Sequence, residues 1–233
     1  MPPRVDVEDR YALPELVTVV PHVPQARSLS EKAYYLLRDR IVSLDLPPGA
    51  ALDEKRLMTE LDLGRTPIRE ALRRLADERL VEVVPRRGMF VTHIDVRDLA
   101  SINEVRAELE AYAGRLAAER ATDEDRAAID GLLGVVDAAA GADHRELMRV
   151  DQHIHRRIHA ATRNPYLAAT LEEYFLLALR LWFLVLDDLP GLDHAVAEHR
   201  ALIVAVRDGD ASGAEAILRA HVNGFEEAIR AVL

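Results

Sequence analysis

Five short segments with a regular hydrophobic pattern follow one another between residues 28 and 93. In the first three, apolar side chains recur every three or four positions, which predicts amphipathic helices. In the last two, β-branched residues are concentrated, which predicts strands. The expected helices are 30–44, 53–61 and 66–79, the expected strands 80–84 and 89–92, with a further short strand at 50–52. This order predicts a winged helix-turn-helix.

The ends of these helices carry residues that commonly cap or stop a helix. Ser30, Asp53 and Thr66 are the expected N-caps, because a side-chain oxygen there accepts a hydrogen bond from a free amide. Pro67 would then occupy the first helical position, where its missing N–H costs nothing. Pro47-Pro48-Gly49 ends the first helix. The sequence therefore marks the ends of these helices by capping and helix-breaking residues as well as by hydrophobic periodicity.

From Val96 onward the pattern changes to longer helical periods without a strand signal. Thr122 with Asp125 predicts a capping box, and Asn164-Pro165 breaks a helix. Short connections favour an antiparallel bundle. The predicted helices are 96–120, 123–140, 143–163, 166–188, 192–208 and 211–232. The predicted fold class is mainly α: an N-terminal winged helix-turn-helix with a small β-hairpin wing, then a C-terminal all-α antiparallel bundle of about six helices.

The charge distribution supports a division of the chain into parts. The formal net charge is −10, yet residues 28–93 hold 12 Lys/Arg against 11 Asp/Glu, whereas 94–233 hold 15 against 25. The acidic part is unsuited to nucleic acid, while the near-neutral part can carry local basic patches. We predict a mobile or loosely docked arm at 1–27, a DNA-binding domain at 28–94 and a helical domain at 95–233.

Composition favours a cytoplasmic protein without a membrane partner. No apolar run reaches the roughly 18 residues that span a bilayer, and the first residues mix acids with prolines instead of forming the apolar core of a secretory signal. The chain has no cysteine, which excludes disulfides and thiolate metal sites.

Positive charge is concentrated in the stretch GRTPIREALRRL at 64–75. On a helix that starts at Thr66, Arg69 and Arg73 share one face, and Arg65 lies just before it, at the end that approaches base edges in helix-turn-helix docking. Arginine suits this task because its planar fork binds guanine or phosphate. The expected wing adds three candidates at its tip: Arg86, Arg87 and Gly88. A solvated helix face would explain the arginines by themselves. It would not explain why they lie on the second helix of a helix-turn-helix pair and are followed by a basic wing, so we favour double-stranded DNA as the partner.

The acidic half contains an aspartate and a histidine four residues apart, Asp151 and His155. At this spacing both project from one helix face and could hold one metal ion. His155 and His159 form an equally spaced rival pair, and surface polarity is the simpler explanation for either pair alone. His199 and His221, on two later helices, could face the same cavity. One carboxylate and three imidazoles would suit zinc, nickel, manganese or iron without deciding among them.

The string LxxELxLGRTPIREALRRL from Leu57, followed by RRGxFV in the wing, is specific. It resembles the winged-helix module of the GntR family of bacterial transcription regulators. The resemblance implies DNA contacts at five positions: Lys55, Arg65, Thr66, Arg69 and Gly88. Gly64, Ile68 and Arg79 stand where the family usually has serine, valine and glycine. None of these departures removes a basic contact, although Gly64 lacks a hydroxyl that could touch a phosphate.

The acidic half is similar to the FCD domain, the ligand-binding domain of the FadR branch of the family. The similarity lies in three features: an aspartate with a histidine four residues later, "EH" at the start of a helix, and a histidine in the last helix. The similarity implies a divalent metal on four residues: Asp151, His155, His199 and His221. It also implies that Arg106 meets a small organic acid effector, with Asn164 at the "NP" break assigned to the effector site. A salt bridge to Glu110 is the alternative for Arg106. The other histidines, His159 included, are assigned to surface or packing roles. A count of six helices favours the VanR-type subgroup over the FadR-type, which has one more.

These features predict a transcription regulator, more often a repressor, that responds to a small carboxylate bound beside a metal ion. Because a lone module with a few phosphate contacts binds weakly, we expect a homodimer on a palindromic operator. A constitutive dimeric DNA-binding protein is the alternative. A metal-dependent hydrolase is disfavoured, since four protein ligands exceed the three that catalytic zinc sites usually keep, and no HExxH base is present. We therefore do not expect an enzyme.

Overall fold

The computed structural model describes residues 11–18, 26–189 and 191–232. Its internal contacts divide the chain into two units, one ending at Ile94 and the other beginning at Asp95. The predicted fold class is confirmed: the chain is mainly α, with a two-stranded wing after the helix-turn-helix and a helical C-terminal part.

The first unit contains three helices and one antiparallel hairpin: α1 Leu29–Val42, α2 Glu54–Leu61, α3 Arg65–Asp77, β1 Val81–Val84 and β2 Gly88–Val91. Its core forms because Ile68, Leu72 and Leu75 lie on one face of α3 and are all 0% exposed. This face packs mainly against α1. The strand predicted at 50–52 is wrong, since Ala51 forms only an isolated bridge with Phe90.

The helix starts agree with the predicted caps at one position and differ at two. Asp53 caps α2 as predicted, accepting a 2.7 Å hydrogen bond from the Arg56 amide. The prediction of Ser30 is wrong, because α1 begins one residue earlier and Ser28 accepts from the Glu31 amide. Thr66 is also wrong as a cap. Gly64 is the N-cap of α3 and has no side chain to offer.

The end of α3 explains why glycine suits the position of Arg79. The Leu80 amide donates to the Leu75 carbonyl at 2.9 Å and the Arg79 amide to the Ala76 carbonyl at 3.1 Å. This pair of bonds is the Schellman motif, which places its central residue in the left-handed region. Arg79 has φ +61°. A side chain with a Cβ is strained there, whereas glycine is not.

The described part of the N-terminal arm contacts α1. Thr18 is buried, and both its amide and its hydroxyl donate to Asp39 Oδ1, the hydroxyl at 2.8 Å. The Ala26 amide donates to the Tyr11 carbonyl at 3.0 Å. Residues 1–10 and 19–25 of the predicted arm lie outside the described residues.

The second unit consists of helices: α4 Asp98–Arg120, α5 Asp123–Asp130, α6 Leu132–Ala138, α7 His144–Ala161, α8 Pro165–Val185, α9 Leu192–Asp208 and α10 Ala211–Val232, with a short 3₁₀ turn at Leu186–Asp188. The predicted capping box at Thr122 and Asp125 is confirmed, with both reciprocal hydrogen bonds present. None of the described helices is long and apolar enough to cross a membrane.

The helix predicted at 123–140 is interrupted. Gly131 separates α5 from α6 and adopts αR geometry as the C-cap of one and the N-cap of the other. The described second unit therefore has six helices if these two segments are taken together and seven if they are not. The preference for the VanR-type subgroup, which depended on this count, loses its support.

Helix α4 is the central element of the second unit, packing against α10 and also against α7, α8 and α9. Small residues make this possible, because Ala111, Ala113 and Ala117 are fully buried along its length. At Gly114, an added Cβ would lie 2.8 Å from the Ala214 carbonyl oxygen of α10. Helix α4 thus reaches all the other long helices of this unit, and its polar side chains become buried among them.

Candidate functional site

The first candidate site is the exposed face of α3 with the adjoining wing. Every residue predicted to contact DNA is exposed: Lys55, Arg65, Thr66, Arg69, Arg73, Arg86, Arg87 and Gly88. The structure thus leaves each of these residues accessible to a partner. Whether they contact DNA stays a prediction.

Glu54 of α2 holds two of the arginines of α3. Its Oε2 lies 3.3 Å from Arg65 Nε and its Oε1 lies 3.4 Å from Arg69 Nε. The two arginine side chains nevertheless remain 65% exposed. Because one carboxylate contacts both guanidinium groups, it orients them together on the same side of the helix-turn-helix. Sequence analysis did not single out Glu54, although its position at the start of α2 was visible.

Arg74, the fourth arginine of the quoted stretch, is engaged within the protein. Its guanidinium carbon lies 3.5 Å from the centre of the Tyr34 ring, and its Nε bonds Glu78 at 3.1 Å. Stacking of this kind uses the cation for packing. The basic face available to a ligand is therefore formed by Arg65, Arg69 and Arg73.

The wing tip consists of Pro85, Arg86 and Arg87 between Val84 and Gly88, which pair across the hairpin. Arg86 has φ +63° and Gly88 φ +109°. The second angle is essentially restricted to glycine, so Gly88 is required by the backbone of the turn. The geometry presents two exposed arginines at the end of a short hairpin.

The second candidate site is a buried polar cluster at the centre of the helical unit. Asp151 and His155 lie on α7, His199 on α9 and His221 on α10, and all are at most 6% exposed. Asp151 Oδ1 lies 3.7 Å from His155 Nε2 and 3.5 Å from the Nε2 atoms of both His199 and His221. The fold therefore brings the four predicted ligands together.

The cluster fits a metal ion by a test that is independent of sequence similarity. Its ligand-type atoms are buried without a hydrogen-bond partner: both carboxylate oxygens of Asp151 and the Nε2 atoms of His155, His199 and His221. Buried polar atoms nearly always have a partner, so such a convergence points to an ion. Zinc–nitrogen bonds of about 2.0–2.1 Å in tetrahedral geometry separate neighbouring ligands by about 3.4 Å. The observed 3.5–3.7 Å separations are close to that value.

The protonation of the cluster also suits a cation. Burial raises the pKa of Asp151, but the neighbouring imidazoles, His155 first, hold it below its usual value, so the carboxylate is ionised. Burial and then His221 hold the pKa of His199 well below its usual range, which leaves its nitrogen lone pair available. Burial lowers the pKa of His221, but Asp151 and Glu198 outweigh it and raise the pKa to about 9. A metal would therefore displace a proton from His221.

Behind His155 lies a second acidic residue that the sequence did not reveal as functional. Glu110 of α4 is 0% exposed, and its Oε2 lies 3.1 Å from His155 Nδ1 and 2.9 Å from His159 Nε2. His159 was assigned to a surface or packing role. It is buried and bonds this carboxylate. The sequence signal for this network was a spacing of four residues that occurs in two pairs, Arg106 with Glu110 and His155 with His159.

Arg106 lies in the same buried network. Its Nη2 contacts Glu110 Oε1 at 3.4 Å, and its guanidinium carbon lies 5.1 Å from the ring centres of both Phe175 and Trp182. Burial lowers the pKa of Arg106, while Glu110 and then Asp151 act in the opposite direction. The salt bridge that was the alternative interpretation is present. Glu110, which contacts Arg106, also bonds His155, so Arg106 is connected to the candidate metal ligands through this carboxylate.

Asn164 has a structural contact that the effector assignment did not include. Its side-chain oxygen accepts hydrogen bonds from the amides of Tyr166 and Leu167, each at 3.2 Å, and so caps α8. A role for Asn164 in effector binding stays a prediction.

A cavity of about 260 Å³ lies beside His221, between α9 and α10. Its walls are largely apolar, with Leu192, Phe225 and Ala228 among them, and Glu198 and His194 also line it. The Glu198 carboxylate lies 3.5 Å from His221 Nδ1. The cavity therefore reaches one of the candidate ligands and offers space for a small molecule next to it.

Family models match both the part of the chain that contains α3 and the wing and the part that contains the buried cluster. Residues 29–91 match the model of the bacterial regulatory proteins of the gntR family, and residues 101–224 match the FCD domain. A "Probable D-xylose utilization operon transcriptional repressor" of Paenarthrobacter nicotinovorans is 31% identical over 183 residues, 77% of this chain and 79% of that protein.

The chain belongs to the GntR family. It is a transcription regulator of the GntR/FCD type.

Two further comparisons support this assignment. The Nta operon transcriptional regulator of Aminobacter aminovorans is 33% identical over 130 residues, which cover 56% of this chain and 62% of that protein. The solved structure of McbR/YncC from E. coli superposes with a TM-score of 0.78 at 25% identity, covering 88% of this chain and 98% of that one.

The family fixes the general activity of this GntR/FCD regulator. Its relatives and structural neighbours are transcription regulators and not enzymes. GntR regulators bind DNA operators and usually dimerise, and FCD domains commonly bind a metal ion.

Proposed function

We propose that this protein is a homodimeric repressor whose affinity for a palindromic operator changes when a small carboxylate binds beside a metal ion in its FCD domain. The observation that carries the proposal is the convergence of unpartnered, buried ligand atoms from Asp151, His155, His199 and His221. A regulator that used this unit only to dimerise would gain nothing from burying such a cluster, since polar groups without partners destabilise a fold.

The DNA contact would be made by α3 and the wing. Arg65 and Arg69, held together by Glu54, are suited to base edges or phosphates near the start of the recognition helix. A dimer would present two such helices to two half-sites, which raises both affinity and specificity above those of one module. Acting on a bacterial chromosome, the protein would work in the cytoplasm. Repression is proposed because the relative from Paenarthrobacter nicotinovorans is named a repressor.

The metal would be held by Asp151, His155, His199 and His221, with zinc, nickel, manganese and iron all compatible with oxygen and nitrogen ligands. A divalent ion supplies a positive centre that attracts a carboxylate. Arg106 supplies a second cation, shielded from water between Phe175 and Trp182. Two buried cations in one unit favour a small anion over a neutral molecule.

The cavity beside His221 would receive the less polar part of the acid. Its lining by Leu192, Phe225 and Ala228 suits carbon atoms, while His221 marks the end nearest the metal ligands. The cavity volume of about 260 Å³ limits the acid to a small molecule.

The proposal is tested by selecting duplexes that the protein binds from a random pool. Binding to the selected duplex is then titrated with a panel of mono- and dicarboxylic acids, using metal-loaded and chelator-treated protein. We expect a palindrome of two half-sites and at least one acid that changes the dissociation constant by roughly 5- to 150-fold, only when metal is present. No preferred duplex at moderate salt would contradict DNA recognition. A selected operator that no acid affects would identify a constitutive DNA-binding protein instead.

A further inference from the structure

The Glu110 carboxylate has three partners in an environment without solvent. Its Oε2 bonds His155 Nδ1 and His159 Nε2, and its Oε1 contacts Arg106 Nη2 at 3.4 Å. All four side chains are at most 3% exposed. A fully buried carboxylate is costly unless its partners require it.

The two nitrogens of His155 face different groups. Nδ1 points to Glu110, whereas Nε2 points to Asp151 and has no hydrogen-bond partner. Because a neutral imidazole carries one proton, a hydrogen bond donated from Nδ1 to Glu110 leaves the lone pair on Nε2. Nε2 is the atom that belongs to the candidate metal cluster. Glu110 thereby selects the tautomer of His155 that can bind a metal.

Glu110, His155 and His159 also form a group that could itself hold an ion. The distances argue against a second ion there. The 2.9 and 3.1 Å separations between Glu110 Oε2 and the ring nitrogens are those of hydrogen bonds and are shorter than the spacing of ligands around zinc. A second ion would also compete for His155, whose other nitrogen belongs to the four-residue cluster.

We propose that Glu110 is a positioning residue for the metal site: it fixes His155 with Nε2 toward Asp151, and its contact with Arg106 connects this ligand to the cation assigned to the acid. This inference rests on the proposed function. It adds to the metal site a residue of α4, a helix that carries none of the four candidate ligands. Arg106 contacts the other oxygen of the same carboxylate, Oε1, and adds a positive charge, so Arg106 and His155 should have opposite effects on the metal.

The test uses metal alone, with Co²⁺ and Zn²⁺ titrated into metal-free protein against a competing chelator. We expect Glu110→Gln to weaken binding by about 10- to 100-fold, as is usual when a carboxylate behind a ligating histidine is lost. The visible absorption of bound Co²⁺ should change in the same variant. Arg106→Gln should leave metal affinity unchanged or tighten it a few-fold, because it releases Glu110 to His155 and removes a nearby positive charge.

The matched control is Glu172→Gln. Glu172 is a carboxylate that bonds Arg156 at 2.9 and 3.0 Å and lies outside both candidate metal groups. Its variant should bind metal like the wild type. For the case in which Glu110→Gln does not fold, ¹⁵N NMR of the zinc-loaded wild type should show His155 protonated at Nδ1.

Three outcomes would overturn the inference alone. Equal metal affinity in Glu110→Gln and wild type would remove Glu110 from the site and leave the proposed function intact. A proton on Nε2 of His155 in the zinc-loaded protein would also exclude the proposed role of Glu110. So would a loss of metal affinity in Arg106→Gln as large as that in Glu110→Gln. A wild type that binds neither ion would overturn the proposed function together with the inference.

Discussion

In the first unit the side chains proposed to contact DNA stand in solvent, whereas in the second unit the side chains proposed to hold a metal are almost completely shielded from it. The exposed arginines lie within one helix and one hairpin. The buried ligands come from three helices, and the residue behind them from a fourth. An exposed site needs only its local element to be intact, while a buried one depends on the packing of the whole unit. Substitutions should therefore have different consequences in the two units.

The largest effect is expected from removing a ligand of the buried cluster. Asp151→Asn preserves the size of the side chain but removes the charge that three imidazoles surround. Metal affinity should fall by more than about 100-fold. Loss of a carboxylate that only hydrogen-bonds a ligating residue already lowers metal affinity by about 10- to 100-fold. The measurement is competition with a chromogenic chelator.

The matched control for this variant is His194→Ala, an imidazole of the same unit that is 84% exposed. Its metal affinity should equal that of the wild type. Equal losses in both variants would mean that the ion binds surface groups rather than the buried cluster.

Removing an exposed arginine of α3 should have the next largest effect, and only on DNA. Arg69→Ala should weaken binding to the selected operator by about 1–3 kcal/mol, roughly 5- to 150-fold. Its melting temperature should hardly change, because the side chain is exposed and its pairing with Glu54 contributes little. Fluorescence anisotropy at several salt concentrations and a thermal melt provide both values.

Arg97→Ala is the comparison for Arg69→Ala. Arg97 is 90% exposed but lies in the second unit, paired with Asp95. Unchanged operator affinity would locate the contact on α3. A similar loss in the two variants would indicate that only net charge matters.

A pair of glycines in the second unit tests how tightly the unit that holds the buried cluster is packed. An added Cβ at Gly114 would lie 2.8 Å from the Ala214 carbonyl oxygen, whereas one at Gly134 would meet nothing within 4 Å. Gly114→Ala should lower the free energy of unfolding by about 1–3 kcal/mol. Gly134→Ala should raise it by about 0.5–1 kcal/mol, because alanine favours the helix. Urea unfolding separates the two. Effects of the same sign would show that α4 and α10 are not in such close contact.

The smallest effect is expected at Arg79, where the first unit departs from its family. Arg79→Gly should raise the free energy of unfolding by up to about 1 kcal/mol, because glycine relieves the strain of φ +61°. Operator affinity should not change, since Arg79 lies at the far end of α3 from Arg65. A destabilised variant would indicate that the contacts of the arginine side chain outweigh the backbone strain.

The contrast between the units also explains what the sequence could predict. The helix-turn-helix depends on local signals, so its helices, its wing and the buried face of Ile68 and Leu72 were all predictable. Both wrongly predicted caps lie two residues after the observed ones, Ser28 and Gly64, because several neighbouring residues can cap a helix. The strand expected at 50–52 is only an isolated bridge. Gly131 was missed since a glycine inside a helical period is often tolerated.

The buried cluster was only partly accessible from the sequence. Spacing paired Asp151 with His155, but His155 and His159 had the same spacing, and nothing local could choose between them. His199 and His221 were only possible partners on later helices until the resemblance to a family selected them. Glu110 was visible only as a salt-bridge partner of Arg106, because its contact with His155 joins helices 45 positions apart along the chain. Such contacts depend on the packing of α4 against α7, which no short pattern encodes.

The most direct test of the account is anomalous X-ray scattering from crystals of the zinc-loaded protein, recorded on both sides of the zinc absorption edge. The account predicts a strong edge-dependent peak in each chain, enclosed by Asp151, His155, His199 and His221. The absence of a peak at this position, or a peak bound only by exposed carboxylates, would contradict it.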